Sequence, residues 1–330
     1  TLGGIYFFDR WIEASSKFKV KNVKLPLKIQ LYGFYLFAMI FTAAAFLLKP
    51  YALFFILPMV YLAWKAWRWK LFLQWQLWIF AALTVTPLMW WRTWMTQFPE
   101  GIPANAWLLN GNGIRFRPAF FRWVFYERLT VLISGYALAF LAVIGVVRLP
   151  KIKDWLFFAS FFVGSLLYVC VFATGNVQHD YYQIPIIPSV AIALAIGSYF
   201  LSRFFVRKIP LGIILVVVCI VMGFYFSWER VKDYFNINNR AILVAGEAVD
   251  RLTPKDAKVI ANYTGDSSFL YQTKRKGWAS FQDSLPVMVE KGAEYLVLVN
   301  PVEQDYAIAE EGYTIIAETK EYLIFDLKNN

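Results

Sequence analysis

Histidine and cysteine are nearly missing from this chain of 330 residues, which holds one His and two Cys. Cys170 and Cys219 each stand alone inside an apolar run, and His179 is the single imidazole. Neither a zinc site nor a disulfide framework can be built from such spacing. Charge is scarce as well, at 17%, where soluble domains carry about 25%. Repeats and low-complexity tracts are absent. After Trp228 neither a G-x-G-x-x-G nor a G-x-x-x-x-G-K-[ST] motif occurs, so nucleotide binding has no support.

Apolar and aromatic residues fill the space. Hydrophobic residues make up 59% and aromatics 19%, and the mean hydropathy is +0.49. These values predict an integral membrane protein. The net charge of +11 is uneven: residues 1–228 hold 21 Lys/Arg against 6 Asp/Glu, and residues 229–330 hold 12 against 16. A basic excess can signal nucleic acid. Here it lies between apolar segments, where a lipid surface explains it and no nucleic-acid partner is expected.

Seven apolar segments are expected to cross the membrane, at about 29–48, 50–64, 71–91, 129–147, 154–173, 184–201 and 209–228. Every second connection is basic: Lys17 to Lys28, then Lys65, Arg68 and Lys70, then Arg148, Lys151 and Lys153, then Arg203, Arg207 and Lys208. Those connections are assigned to the cytoplasm, which leaves everything after Trp228 outside. The first apolar stretch, Leu2 to Phe8, is too short to span and precedes its basic run instead of following one. This predicts the tail of a helix begun upstream, and no signal peptide. The fold expected is a polytopic α-helical membrane domain, 1–228, followed by a small external α/β domain, 229–330. In that domain Arg240–Leu252 and Ser284–Lys291 read as helices. Ala257–Tyr263, Glu294–Asn300 and a closing pair, YTIIAET and EYLIFDL, read as strands.

The external face breaks the positive-inside pattern. Lys49, Arg92, Arg115, Arg117, Arg122 and Arg128 fall there, with Glu100, Glu127 and Asp180 as its acids before the soluble domain. Arg92 and Arg128 flank helix ends and read as cations snorkelling to headgroups. In GNGIRFRP, by contrast, Arg115 and Arg117 would share one side of an extended strand beside a Gly-rich turn, a setting for a phosphate. Lys49 precedes a proline between two apolar segments, either as a headgroup anchor or as a lipid-phosphate partner. His179 opens HDYYQIPIIP, where two prolines start the next helix. The cluster is either an aromatic belt with polar caps or a place to hydrogen-bond a phosphate or a sugar hydroxyl. In the tail, Arg275–Trp278 reads as an exposed turn, with a lid over an acceptor cleft as its alternative. The sequon at Asn262 is taken as accidental.

The segment QHDYYQIPIIPSVAIALAIG resembles the signature of the dolichyl-phosphate-mannose-protein mannosyltransferase-like family of bacterial membrane glycosyltransferases. These enzymes have the GT-C fold and include the lipid A aminoarabinose transferases. The family pattern H-x-Y-Y-x-x-P-x-x-P is matched by His179, Tyr181, Tyr182, Pro185 and Pro188. LLKPYALFFILP is similar to the family's K-P segment, and the loop PANAWLLNGNGIRFRPAFFRW and the tail also look like those of members, so the resemblance covers most of the chain. It implies a multi-pass protein of the cell membrane that moves a sugar from a polyprenyl-phosphate donor, with inversion, to an external glycan, lipid or protein. It names no certain cofactor beyond that donor; no ligand cluster asks for a metal, and metal dependence stays open. The donor phosphate and sugar would meet Lys49, Arg115, Arg117, His179 and Tyr182. In the family the catalytic base lies in the first external loop, which would precede Thr1; Asp180 and Glu100 are the fallback candidates. A transporter or lipid flippase would need ionisable residues at mid-membrane, and the segments lack them. A non-catalytic anchor for the tail would leave the external arginines without a role.

Overall fold

A computed structural model describes residues 1–18, 25–98, 107–206, 208–235 and 239–328. It is mostly helical, with a small sheet near the C-terminus. The chain forms two compact units, Thr1–Arg230 and Val231–Asn330.

The first unit begins with α1 (Leu2–Phe18) and α2 (Leu25–Leu48). α1 repeats Ile5, Phe8, Trp11 and Ala14 at three-residue spacing, and this stripe is buried against Leu31 and Ala38 of α2. A 3₁₀ turn, Pro50–Ile56, leads into α3 (Leu57–Trp67), and a second, Arg68–Leu73, precedes α4 (Trp75–Met95). Met59, Ala63 and Phe80 from these helices complete the same core. Next come α5 (Trp107–Asn110), a 3₁₀ turn at Gly111–Phe116, α6 (Pro118–Phe121) and a π-helical stretch, Arg122–Ile133. α7 (Ala137–Arg148), α8 (Trp155–Val171), the short α9 (Ala173–Gln178), a 3₁₀ turn at Asp180–Ile186, α10 (Ile187–Ser202) and α11 (Leu211–Val231) follow.

Among the described residues three helices are long and apolar enough to cross a membrane: Lys28–Leu48, Asp180–Ser202 and Leu211–Val231. Two bent pairs raise the number to five if each pair is one span. Pro50–Leu73 meets Trp75–Met95 at 98°, and Pro118–Ile133 meets Ala137–Lys151 at 116°. By length and composition the described residues thus offer three to five spans where seven were expected. The expected 50–64 and 71–91 are arms of one bent pair, and 129–147 is cut by the second bend. α8 has 17 residues, fewer than the roughly 20 that span a bilayer upright. Backbone conformation explains the cuts: Gln74, between the arms of the first pair, is extended (φ −84°, ψ 95°), and Gly135 and Tyr136, between those of the second, have φ of 47° and 58°. Left-handed residues reverse a helix without lowering its hydropathy.

α7 and α10 cross at contact distance through small residues. A Cβ on Gly145 would lie 1.8 Å from the Ala193 carbonyl oxygen, and one on Gly197 would lie 1.9 Å from that of Leu141. Backbones this close give dispersion contacts that do not depend on expelling water.

The second unit starts with α12 (Ala241–Leu252), β1 (Lys258–Ala261), α13 (Ser267–Gln272), β2 (Lys276–Trp278) and α14 (Leu285–Glu290). It ends with β3 (Tyr295–Val299), α15 (Ala307–Glu310), β4 (Thr314–Glu318) and β5 (Tyr322–Asp326). The strand order is β2-β1-β3-β5-β4. β1 runs parallel to β2 and β3, and β5 is antiparallel to β3 and β4. A bulge interrupts β4 between Ile315 and Ala317. Period-two alternation sends Val259, Ala261, Val297 and Ile324 to one face, under Ala245 and Val249 of α12 and Phe269 of α13. Ile260, Leu296, Leu323 and Phe325 face Leu285 and Met288 of α14 and the flank of α15. The sheet is thus buried on both sides in a three-layer unit.

Candidate functional site

The candidate site is built where α2 and α8 end and α10 begins. Lys49 leaves α2 in an extended conformation, and Pro50 then starts the 3₁₀ turn. The exposed Lys49 ammonium lies 5.8 Å from the centre of the Tyr51 ring. Tyr51 in turn packs on Tyr168, Phe172 and Tyr182, at 5.0, 5.5 and 6.2 Å between ring centres. Tyr168 is fully buried, and its hydroxyl donates to the Tyr182 carbonyl at 2.8 Å. That bond satisfies a polar atom in an aromatic core and fixes the turn carrying the HDYYQIP residues.

α9 is tied down from three directions. The Gly111 N–H donates to Thr174 Oγ1 at 2.7 Å, which anchors the 107–117 stretch. Gln183 Nε2 donates to the Asn176 carbonyl and to its Oδ1, at 2.7 and 3.0 Å. Arg128 Nη2 reaches the Val177 carbonyl at 3.5 Å, and Arg115 Nη2 reaches the carbonyl of Val171, the last residue of α8, at 3.4 Å. Both arginines keep a buried Nε without a hydrogen-bond partner among the described residues. Each such donor costs about 1–3 kcal/mol relative to a bonded one.

His179 sits between α9 and the following turn. Its ring meets Trp107 edge-on at 5.7 Å and leans on Tyr181 and Tyr182 at 5.3 and 5.9 Å. Ring contacts therefore connect Trp107, His179, Tyr182 and Tyr51 to Lys49. Beside them opens a cleft of about 620 Å³. Its rim carries Lys49, Tyr51 and Tyr181, and its walls are apolar: Ile5, Ala45, Ala52, Phe55, Phe161 and Ile184, with Pro185 and Pro188. No carboxylate among the described residues lines it. The Lys49 side-chain ammonium over an apolar trough suits an anion carried on a hydrocarbon chain. Another cavity, of about 570 Å³ between α7, α8, α10 and the π-helical stretch, has no titratable lining residue among the described ones. It can hold hydrocarbon but offers no chemistry.

Lys49, His179, Tyr182 and Arg115 thus gather around one segment. Arg117 does not join them, for it is exposed and its side chain makes no hydrogen bond or ion pair among the described residues. Asp180 is half-buried beside His179 and outside the cleft wall. Glu100 lies outside the described residues. The expected strand at GNGIRFRP is instead a 3₁₀ turn with only Arg117 extended. Gly113 has φ 64°, and the Arg115 N–H donates to Asn110 Oδ1 at 3.0 Å, which together close the turn. Arg128, expected to snorkel at a helix end, lies inside the π-helical stretch, half-buried, with its guanidinium 5.3 Å from the Trp123 ring.

Tyr51, Tyr168, Asn176 and Gln183 were not expected. The signal available was their polarity inside apolar surroundings, for a tyrosine amid Leu and Val needs a partner for its hydroxyl.

Arg275–Trp278 is not an exposed turn. The Arg275 side chain is closed to solvent and bonds Asp250 Oδ1 at 2.8 Å and Thr253 Oγ1 at 3.2 Å. Lys276–Trp278 form β2. Gly277, at φ 148°, lets the strand approach β1, since a Cβ there would stand 1.9 Å from the Val259 carbonyl oxygen. Charge and glycine hid this strand. Among the described residues no group of three His, Cys, Asp or Glu could hold a metal ion. The chain matches no protein-family model and no curated protein.

Proposed function

We propose that the chain belongs to a multi-pass membrane glycosyltransferase of the GT-C type and forms the donor side of its site. In this reading the seven apolar segments, bent ones included, embed the first unit, and the second unit stands on the external face. The observation that carries the proposal is the apolar cleft of about 620 Å³ with Lys49 at its rim and the His179–Tyr182 turn beside it. An isoprenoid chain matches the walls, and a phosphate matches the ammonium.

The chemistry follows from that placement. The acceptor oxygen forms a bond to the anomeric carbon on the face opposite the phosphate, and the bond from that carbon to the phosphate oxygen breaks. The configuration inverts. The acceptor's proton passes to a carboxylate acting as general base, with Asp180, the first residue of the turn, the described candidate. The electron pair stays on the departing polyprenyl phosphate, whose growing charge Lys49 neutralises, with Arg115 next along the cluster. His179 offers a ring nitrogen to a sugar hydroxyl or to the phosphate. Tyr182 holds that ring in place.

The test is transfer of a radiolabelled sugar from polyprenyl phosphate in membranes containing the protein. Lys49→Ala and His179→Ala should each lower the rate about 100-fold. Arg117→Ala should act more weakly, because its side chain stands apart from the cluster. Rates unchanged in the Lys49 and His179 variants would remove the proposal.

A further inference from the structure

A second cleft, of about 530 Å³, opens between α1, α3 and the start of α8. Its charged lining consists of Asp9, Lys65, Lys153 and Asp154. Lys65 Nζ lies 2.7 Å from Asp154 Oδ1, where a left-handed backbone, φ 57°, turns the chain into α8. Asp9 is close enough to act on the charge of Lys65, as Lys153 is on that of Asp154. Asp9 and Lys153 themselves form no hydrogen bond or ion pair with another described residue. The lining is therefore neutral in sum but holds one unspent charge of each sign.

That pattern selects its ligand. A simple anion would gain Lys153 but face two carboxylates, and a simple cation would face two ammonium groups. A zwitterion with a phosphate and a primary ammonium a few bonds apart satisfies both. Apolar walls continue from the charges: Leu2 and Ile5 line this cleft and the donor cleft alike. A ligand here can thus lay a hydrocarbon chain along α1.

We propose that this cleft binds the phosphoethanolamine head group of a membrane lipid, with its phosphate on Lys153 and Lys65 and its ammonium on Asp9 and Asp154. The proposal rests on the membrane placement of the first unit and not on sugar transfer. The ammonium brings three N–H donors to the carboxylates, whereas the trimethylammonium of a choline lipid brings none.

The experiment offers the purified, delipidated full chain equal amounts of phosphatidylethanolamine, phosphatidylcholine and phosphatidylglycerol and counts bound lipid by native mass spectrometry. Phosphatidylethanolamine should be retained about tenfold over the others, and Lys153→Ala or Asp9→Asn should each remove that preference. Lys153→Arg should keep it. Lys49→Ala should leave it intact while weakening binding of the sugar donor, which separates this proposal from the transferase reading. Equal retention of the three lipids, a preference for phosphatidylglycerol, or an unchanged preference in both variants would overturn it. The selectivity of the unaltered chain decides the matter if a variant does not fold.

Discussion

Hydrogen bonds from the Arg275 guanidinium run to Asp250 and Thr253 at the end of α12 and to the carbonyls of Thr273 and Lys274. Removing the side chain would orphan several of these acceptors inside the second unit. Arg275→Ala should cost on the order of 3 kcal/mol, read as faster amide exchange in β1 and β2 of the intact chain. Asp250 responds to pH in the same network. Lys255, Lys274 and Arg275 hold its carboxyl well below the usual carboxylate range. Its stabilising effect is complete above the ordinary aspartate pKa of about 3.9 and disappears as acid protonates the folded form. Exchange protection of β1 should accordingly fall below about pH 4, and Asp250→Asn should flatten that acid limb. None of this could be read from Arg275-Lys-Gly-Trp as a string, because burial of a cation depends on partners 22 and 25 residues away. His179, Tyr181 and Tyr182 were legible, since aromatic and proline residues crowd one short turn. Arg128 was not, since its helix has π-type geometry that periodicity does not announce.

At the scale of elements, backbone contact decides what tolerates change. Leucine at Gly145 would drive a side chain into the Ala193 backbone, which cannot swing aside as a side-chain tip can. Gly145→Leu should therefore separate α7 from α10 and lower the yield of folded protein several-fold, measured by size-exclusion chromatography after detergent extraction. Leucine at Gly33, where a Cβ would have no atom within 4 Å, should be tolerated. Helical character and three of the long apolar helices were plain in the hydropathy. The two sharp bends were not, for one turns at the extended Gln74 and the other at the left-handed Gly135 and Tyr136, and a tyrosine does not advertise φ 58°. The strands of the second unit were legible as short, continuous apolar runs of the kind buried on both faces, as in β1, β3 and β5.

At the scale of the whole molecule, the proposed membrane placement makes an ordering claim that labelling can check. With Cys170 and Cys219 replaced, single cysteines at Lys65 and Lys151 should react with a membrane-impermeant thiol reagent only after the membrane is opened. Cysteines at Arg117 and Lys320 should react in intact cells. The opposite pattern would reverse the orientation drawn from the basic connections. The two bent helix pairs are the places where such a map would first depart from seven simple crossings. The sheet of the second unit carries a consequence of another kind. One of its margins is a strand of three residues and the other is broken by a bulge, so neither presents a long row of free backbone groups to another chain. Copies crowded together would find no strand to extend, and a partner would have to recognise this unit by its side chains.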